Sequence, residues 1–241
     1  MKIKYFISLA FLLFVTLHTY ADDGQSLETN VSVALGINTL EFRNKIPGGF
    51  KQVLETRYTS LNLGLSTAYD RFYVALNSQL SASANADFEQ FSGGVSTSAT
   101  RFVMNRDESS ITLGGQLVDA VTLYVGYTVG TNSGGTQHED KGNFYGIDYK
   151  LPIKSDQSLR LHVAFADLEG SPINSCNYTG DTTGYSYGVT WSVPTKNDRL
   201  FFVKFAMKSY EFTGASSLGG ACAATMMIDQ DYVSTTIGTV F

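Results

Sequence analysis

Residues 31–38 set Val31, Val33, Leu35 and Ile37 against Ser32, Ala34, Gly36 and Asn38. An apolar residue at every second position gives a β-strand with one apolar face. The same period returns along the chain: Leu61, Leu63 and Leu65, then Phe72, Val74, Leu76 and Leu80, then Ile111, Leu113 and Leu117. It continues in Val121, Leu123, Val125, Tyr127 and Val129, and in Tyr145, Ile147, Tyr149 and Leu151. The last runs are Leu159 to Phe165, Tyr185 to Val193, Phe201 to Met207, and Val233, Ile237 and Phe241. The pattern predicts about ten strands. Short breaks near residues 70, 119, 155 and 196 alternate with long polar segments near 48, 92, 136, 175 and 218. Glu41 to Glu55, Ala84 to Arg106 and Thr131 to Gly142 read as loops, because their polar, Gly- and Ser-rich composition hides any apolar face.

Composition decides what covers the apolar faces. Charged residues make up 16% of the chain, against roughly 25% in ordinary soluble domains. Tyr (14), Phe (16) and Gly (23) are plentiful, and no apolar run after residue 21 is long enough to span a bilayer as a helix. The start of the chain has Lys2 and Lys4, an uncharged run from Tyr5 to Leu17, and Ala21 before Asp22 and Asp23. That order is expected of a cleavable export signal over residues 1–21, leaving residues 22–241 as one domain. The formal net charge is −5, which disfavours nucleic acid as a partner. A soluble up-and-down barrel would show the same alternation with its apolar face inward. Its polar face would meet water and carry many Lys and Glu, whereas here the polar face of the first strands is Ser, Asn, Gln, Thr, Ala and Gly. Small uncharged side chains suit a crowded lumen, so the apolar face is expected to meet lipid. Tyr69, Phe72, Tyr127, Tyr145 and Phe241 lie near the ends of the apolar faces, as interfacial girdles do.

The chain thus resembles the bacterial outer-membrane β-barrel superfamily, in its strand–turn rhythm over residues 28–241 and in a last strand ending on Phe241. The resemblance implies an all-β, transmembrane, antiparallel up-and-down barrel in the outer membrane. It also implies that Val233, Ile237 and Phe241 form the signal read by the barrel-assembly machinery during insertion. Lipid is the expected surroundings, and small solutes or a surface ligand are the other expected partners. The resemblance selects no subfamily, so no functional residue is carried over from it.

Continuing the alternation puts one set of charges on the inward face: Asp148 and Lys150, Arg160 and His162, and Lys204 and Lys208. They describe either a basic wall that draws anions into a pore or an ion-pair network that fills a narrow barrel. The second is preferred, because barrels of roughly eight strands are already filled by side chains. Inward glycines at 36, 64, 114, 126, 146, 188 and 238 would leave room, and Tyr73, Tyr124, Phe144, Phe202 and Tyr232 would take it up. His138, Glu139 and Asp140 are consecutive in a polar segment and are expected to be a solvated loop tip, not a metal or catalytic site. No cofactor is expected and no catalytic set is read. Cys176 and Cys222 fall in the last two long segments, and an even pair in an exported chain predicts a disulfide stapling them. The expected function is a small porin-like channel or structural barrel with weak anion preference. The alternative is an adhesin or interaction protein acting through its long external segments.

Overall fold

Alternation of this kind leaves a strand with one face for lipid and one for the lumen, and neither face can satisfy the backbone. In lipid only a closed sheet does so. The computed structural model describes residues 27–46, 50–134, 138–154, 157–172, 178–195, 199–216 and 225–241, and these form one antiparallel sheet closed on itself. Its strands are β1 (Glu28–Ile46), β2 (Phe50–Tyr69), β3 (Phe72–Ser81), β4 (Ala84–Ser92), β5 (Val95–Val118) and β6 (Val121–Gly134). They continue as β7 (His138–Lys154), β8 (Gln157–Pro172), β9 (Tyr178–Pro194), β10 (Leu200–Ser216) and β11 (Thr225–Val240). Apart from β3 and β4, which both pair with β2 and β5, each strand pairs with its neighbours in sequence, and β1 closes the ring by pairing with both β2 and β11. Phe241 and Val31 exchange backbone hydrogen bonds of 2.8 and 3.1 Å at the seam.

Eleven strands make ten staves, because β3 and β4 share one place in the ring between β2 and β5. The interruption is an extra residue. Ser81 faces Ser60, while Ala86 faces Thr56, so five steps on one strand match four on the other. The bulge inverts the alternation: odd residues point inward in β3 and even ones in β4. Local bonds replace the lost ladder. The Ser81 amide donates to Asp107 Oδ1 (2.9 Å), the Arg106 amide to Ser81 Oγ (2.7 Å), and Thr56 Oγ1 to the Asn85 carbonyl (3.0 Å).

The strands run well past the roughly 9–11 residues a tilted membrane strand needs. The outward face shows where the membrane ends. Val31, Val33, Leu35 and Ile37 are exposed apolar residues, Leu35 at 70%, and Thr39, Glu41 and Arg43 follow at the next outward positions. Reading up β7, outward Tyr149, Ile147 and Tyr145 give way to Asn143, Lys141 and Glu139. On β8, Leu161, Val163 and Phe165 give way to Asp167 and Glu169. So large an exposed apolar band has water as the wrong solvent. Above it the same parity carries charge, tied in pairs such as Arg43 with Glu41 (3.0 Å) and Asp231, and Arg101 with Asp87 (2.6 Å).

The segments predicted as loops at 41–55, 84–106 and 131–142 are therefore mostly strand. Their alternation is intact but its chemistry is reversed. Above the lipid, charge faces out and apolar residues such as Phe42, Leu54 and Tyr58 face in. Two-residue turns close the ends where conformation permits: Asp70 (φ 53°) joins β2 to β3, and Gly93 and Gly94 (φ 58° and 82°) join β4 to β5.

Candidate functional site

Because parity is fixed by the ladder, the lumen is a stack of known side chains, and it divides into two levels. The outer level is filled. Arg106 on β5 is 2% exposed and forms a two-pronged pair with Asp140 on β7, at 3.1 Å (Nη1 to Oδ1) and 2.8 Å (Nη2 to Oδ2). A second bond from Nη1 reaches Asn132 Oδ1 at 3.2 Å, and Nη2 reaches Glu108 at 3.4 Å. Glu108 in turn pairs with Lys208 on β10, which lies five staves away and so directly across the barrel. Lys208 also stands over the Tyr232 ring, 5.3 Å from its centroid. The Tyr232 hydroxyl lies 2.7 Å from Asn38 Oδ1 and 2.8 Å from Gln79 Oε1. Charges taken this far out of water persist only when paired and hydrogen-bonded.

Apolar side chains pack on this network in two clusters. One joins Leu40, Leu54, Tyr58, Ala86, Met104 and Tyr232; the other joins Ala166, Leu168, Tyr210 and Phe212. His138 bridges them edge-on, 5.1 Å from Phe212 on β10 and 6.0 Å from Phe42 on the opposite stave. His138 and Asp140 are thus buried lumen residues on β7, not the solvated loop tip the sequence suggested. Glu139 between them is the one that faces out and pairs with Lys141 (3.4 Å). The misreading has a plain cause: the three residues are polar together, and only the parity running back from Tyr145 separates them.

Below the network a polar cavity of about 420 Å³ remains. Asp148, Arg160, His162, Lys204 and Lys208 all line it, with Glu108, Tyr73 and Tyr124. Lys150 does not join them: it is exposed, beyond Asp148 toward the short-turn end, opposite Arg160 in the ladder. A second space of about 380 Å³ shares Ser32, Tyr73, Ala75, Asn77 and Arg160 with the cavity and reaches Asp70 and Arg71 at the short turns. Arg160 lies 3.7 Å from Asp148, and Lys208 is paired with Glu108. Lys204 has no ion-pair partner among the described residues.

The inward glycines do not open the lumen. An added Cβ at Gly114 would collide with the Tyr73 ring, at Gly146 with Tyr124, at Gly126 with Phe144, and at Gly238 with Phe202. The aromatics lie flat in the troughs that the glycines leave, and the cavity is what remains between them.

Arg106 lies in the segment 84–106 that reads as loop and Glu108 falls before Ile111, where the strand pattern becomes clear; continuing the even-numbered parity back from Thr112 finds both. Val233 and Ile237 share the outward face of β11 and Phe241 follows on the same parity just past its end, with Ile237 and Phe241 exposed and Arg199 4.9 Å from the Phe241 ring. Cys176, Cys222 and residues 1–21 lie outside the described residues.

No family model matches this sequence, and a search of curated proteins finds no match. Solved structures do resemble it. The outer membrane protease OmpT from Escherichia coli superposes with a TM-score of 0.60 at 12% identity, over 91% of this chain and 99% of that one. The translocator domain of the autotransporter NalP from Neisseria meningitidis gives 0.40 at 10% identity, over 96% and 97%. OprG from Pseudomonas aeruginosa gives 0.35 at 14%, over 88% and 94%. The likeness is one of fold. With a closed ten-stave ring and a lipid-facing belt, the chain has the transmembrane antiparallel β-barrel fold that OmpT also shows.

Proposed function

We propose that this protein is a small porin-like barrel whose resting state is closed. The observation that supports the reading is the buried Arg106–Asp140 pair, continued through Glu108 to Lys208 across the full width of the lumen. Below it the wall from β7 to β10 carries Arg160, His162 and Lys204 against the single acid Asp148, so solutes that pass a displaced plug meet a weakly cationic surface and anions are favoured. Among the described residues the plug is built from strand side chains, so opening requires those side chains to swing. No catalytic step belongs to this reading.

The test is single-channel recording in planar bilayers, comparing the natural chain with the double variant Arg106→Ala, Phe212→Ala. The natural chain is expected to stay shut for most of the record. The variant, with the pair's cation and a fully buried ring removed, should conduct severalfold more and prefer anions. A natural chain that conducts steadily, at the level of the variant, overturns the reading.

A second reading rests on the β4–β5 hairpin, whose residues 93–101 are exposed on both faces, with Val95 at 67%. A strand pair that serves only the barrel has no need of that reach, and the shape suits contact with a surface partner. Deleting residues 89–99, which leaves Phe88 and its ladder partner Thr100, would abolish adhesion while leaving conductance as it was.

A further inference from the structure

We infer that the lower lumen is a binding pocket, open to the periplasm and closed above, for a small phosphate-bearing solute held by Lys204. The inference deepens the closed-barrel reading and rests on it, because a plugged lumen turns a passage into a pocket with one mouth.

Of the cavity's basic side chains, Lys208 is held by Glu108 and Arg160 by Asp148; both carboxylates share the cavity with Lys204, but among the described residues neither lies within ion-pair distance of it. An ammonium facing a confined space in a low-dielectric wall attracts an anion strongly. Its surroundings indicate which kind. In the ladder Lys204 is flanked by Thr190 on β9 and Thr236 on β11, both on the inward parity. The next inward residue up β11 is Ser234, and Ser186 on β9 also lines the cavity. Hydroxyls can donate to several oxygens of a tetrahedral anion while lysine supplies the point charge, a division of labour suited to phosphate. His162, lying over Gly188 beside Lys204, adds a further donor.

Size and access complete the case. About 420 Å³ is at the small end of ligand pockets, enough for a phosphate group with a few further atoms. The continuation past Arg160 to Asp70 and Arg71 ends at the short turns, which face the periplasm in this fold. Arg160 and Arg71 at that mouth would draw an anion inward.

The experiment is phosphorus NMR and calorimetric titration of inorganic phosphate into the purified, detergent-solubilised chain, in a detergent free of phosphate. Saturable binding is expected, weakened at least tenfold in Lys204→Met and kept within a fewfold in Lys204→Arg. Folding of each variant is checked by circular dichroism, so that lost binding is not lost structure. Binding that is absent, that is equal in Lys204→Met, or that appears only with a short-chain phospholipid overturns the inference. Conductance of the same preparation separates the two claims. A shut barrel that ignores phosphate sinks the pocket alone, whereas a steadily open barrel sinks the closed-barrel reading whatever phosphate does.

Discussion

Removing the acid of the buried pair has the most calculable consequence. Asp140→Asn preserves shape and one acceptor oxygen but deletes the charge opposite Arg106, which is 2% exposed. Both guanidinium contacts, at 3.1 and 2.8 Å, lose their ionic character. Breaking a buried pair from one side costs about 3–5 kcal/mol, because the partner's charge stays buried and unmatched. Glu108, 3.4 Å from Nη2, still offers partial compensation, although Lys208 already claims it. The lower end, about 3 kcal/mol or roughly a hundredfold in the folding equilibrium, is therefore expected. The single tryptophan, Trp191, faces lipid on β9 and reports folding by its fluorescence. Equilibrium denaturant titration of vesicle-inserted protein gives the difference directly. The paired variant Arg106→Met, Asp140→Leu removes both charges and should recover most of the loss. A cost below about 1 kcal/mol for Asp140→Asn, the range of exposed pairs, would refute the buried network. So would a paired variant no better than the single one.

Further expectations follow from position on the barrel. Gly130→Ala would place a methyl 2.5 Å from Arg106 Nη2, so it should destabilise by about 1–3 kcal/mol and loosen the plug, seen as lower stability with more frequent channel opening. Gly146→Ala meets the Tyr124 hydroxyl and the Val163 carbonyl at 2.5 Å, below the plug, and should destabilise by a similar amount without added conductance. Ile147→Arg, mid-belt on β7, should cost about 2–4 kcal/mol in the same titration, while Glu139→Arg, on the same face above the belt, should cost about 0–1 kcal/mol.

The belt was legible in the sequence because lipid imposes one rule on every stave: each second residue between positions such as Val31 and Ile37 must be apolar. The upper barrel was not. Past Ile37 the outward residues become Thr39, Glu41 and Arg43, and the apolar ones move inside, to Leu40 and Phe42. An alternation that exchanges its faces midway looks like a loss of pattern. The bulge at Ala82 and Ser83 hid the upper half of its own stave in the same way, since one extra residue reverses the parity that links Leu80 to Phe88. The cavity charges were found because Asp148, Arg160, His162 and Lys204 sit beside clear belt residues such as Ile147, Leu161 and Phe205. Pairing across the lumen, as between Glu108 and Lys208, is set by which staves face each other once the ring closes. No local pattern holds that information.

The central claim is a lumen shut outward and open inward, and thiol accessibility tests it most directly. Ala75 lines both the cavity and its mouth. In a background with Cys176→Ser and Cys222→Ser, the variant Ala75→Cys is treated with a polyethylene glycol maleimide too large to cross the outer membrane. Thr97→Cys on the outer hairpin serves as the reference. The account predicts that both thiols react in isolated outer-membrane fragments, where either face is reachable, and that only Thr97→Cys reacts on intact cells. Equal labelling of Ala75→Cys on intact cells would mean that the outer level is open, contradicting the plug.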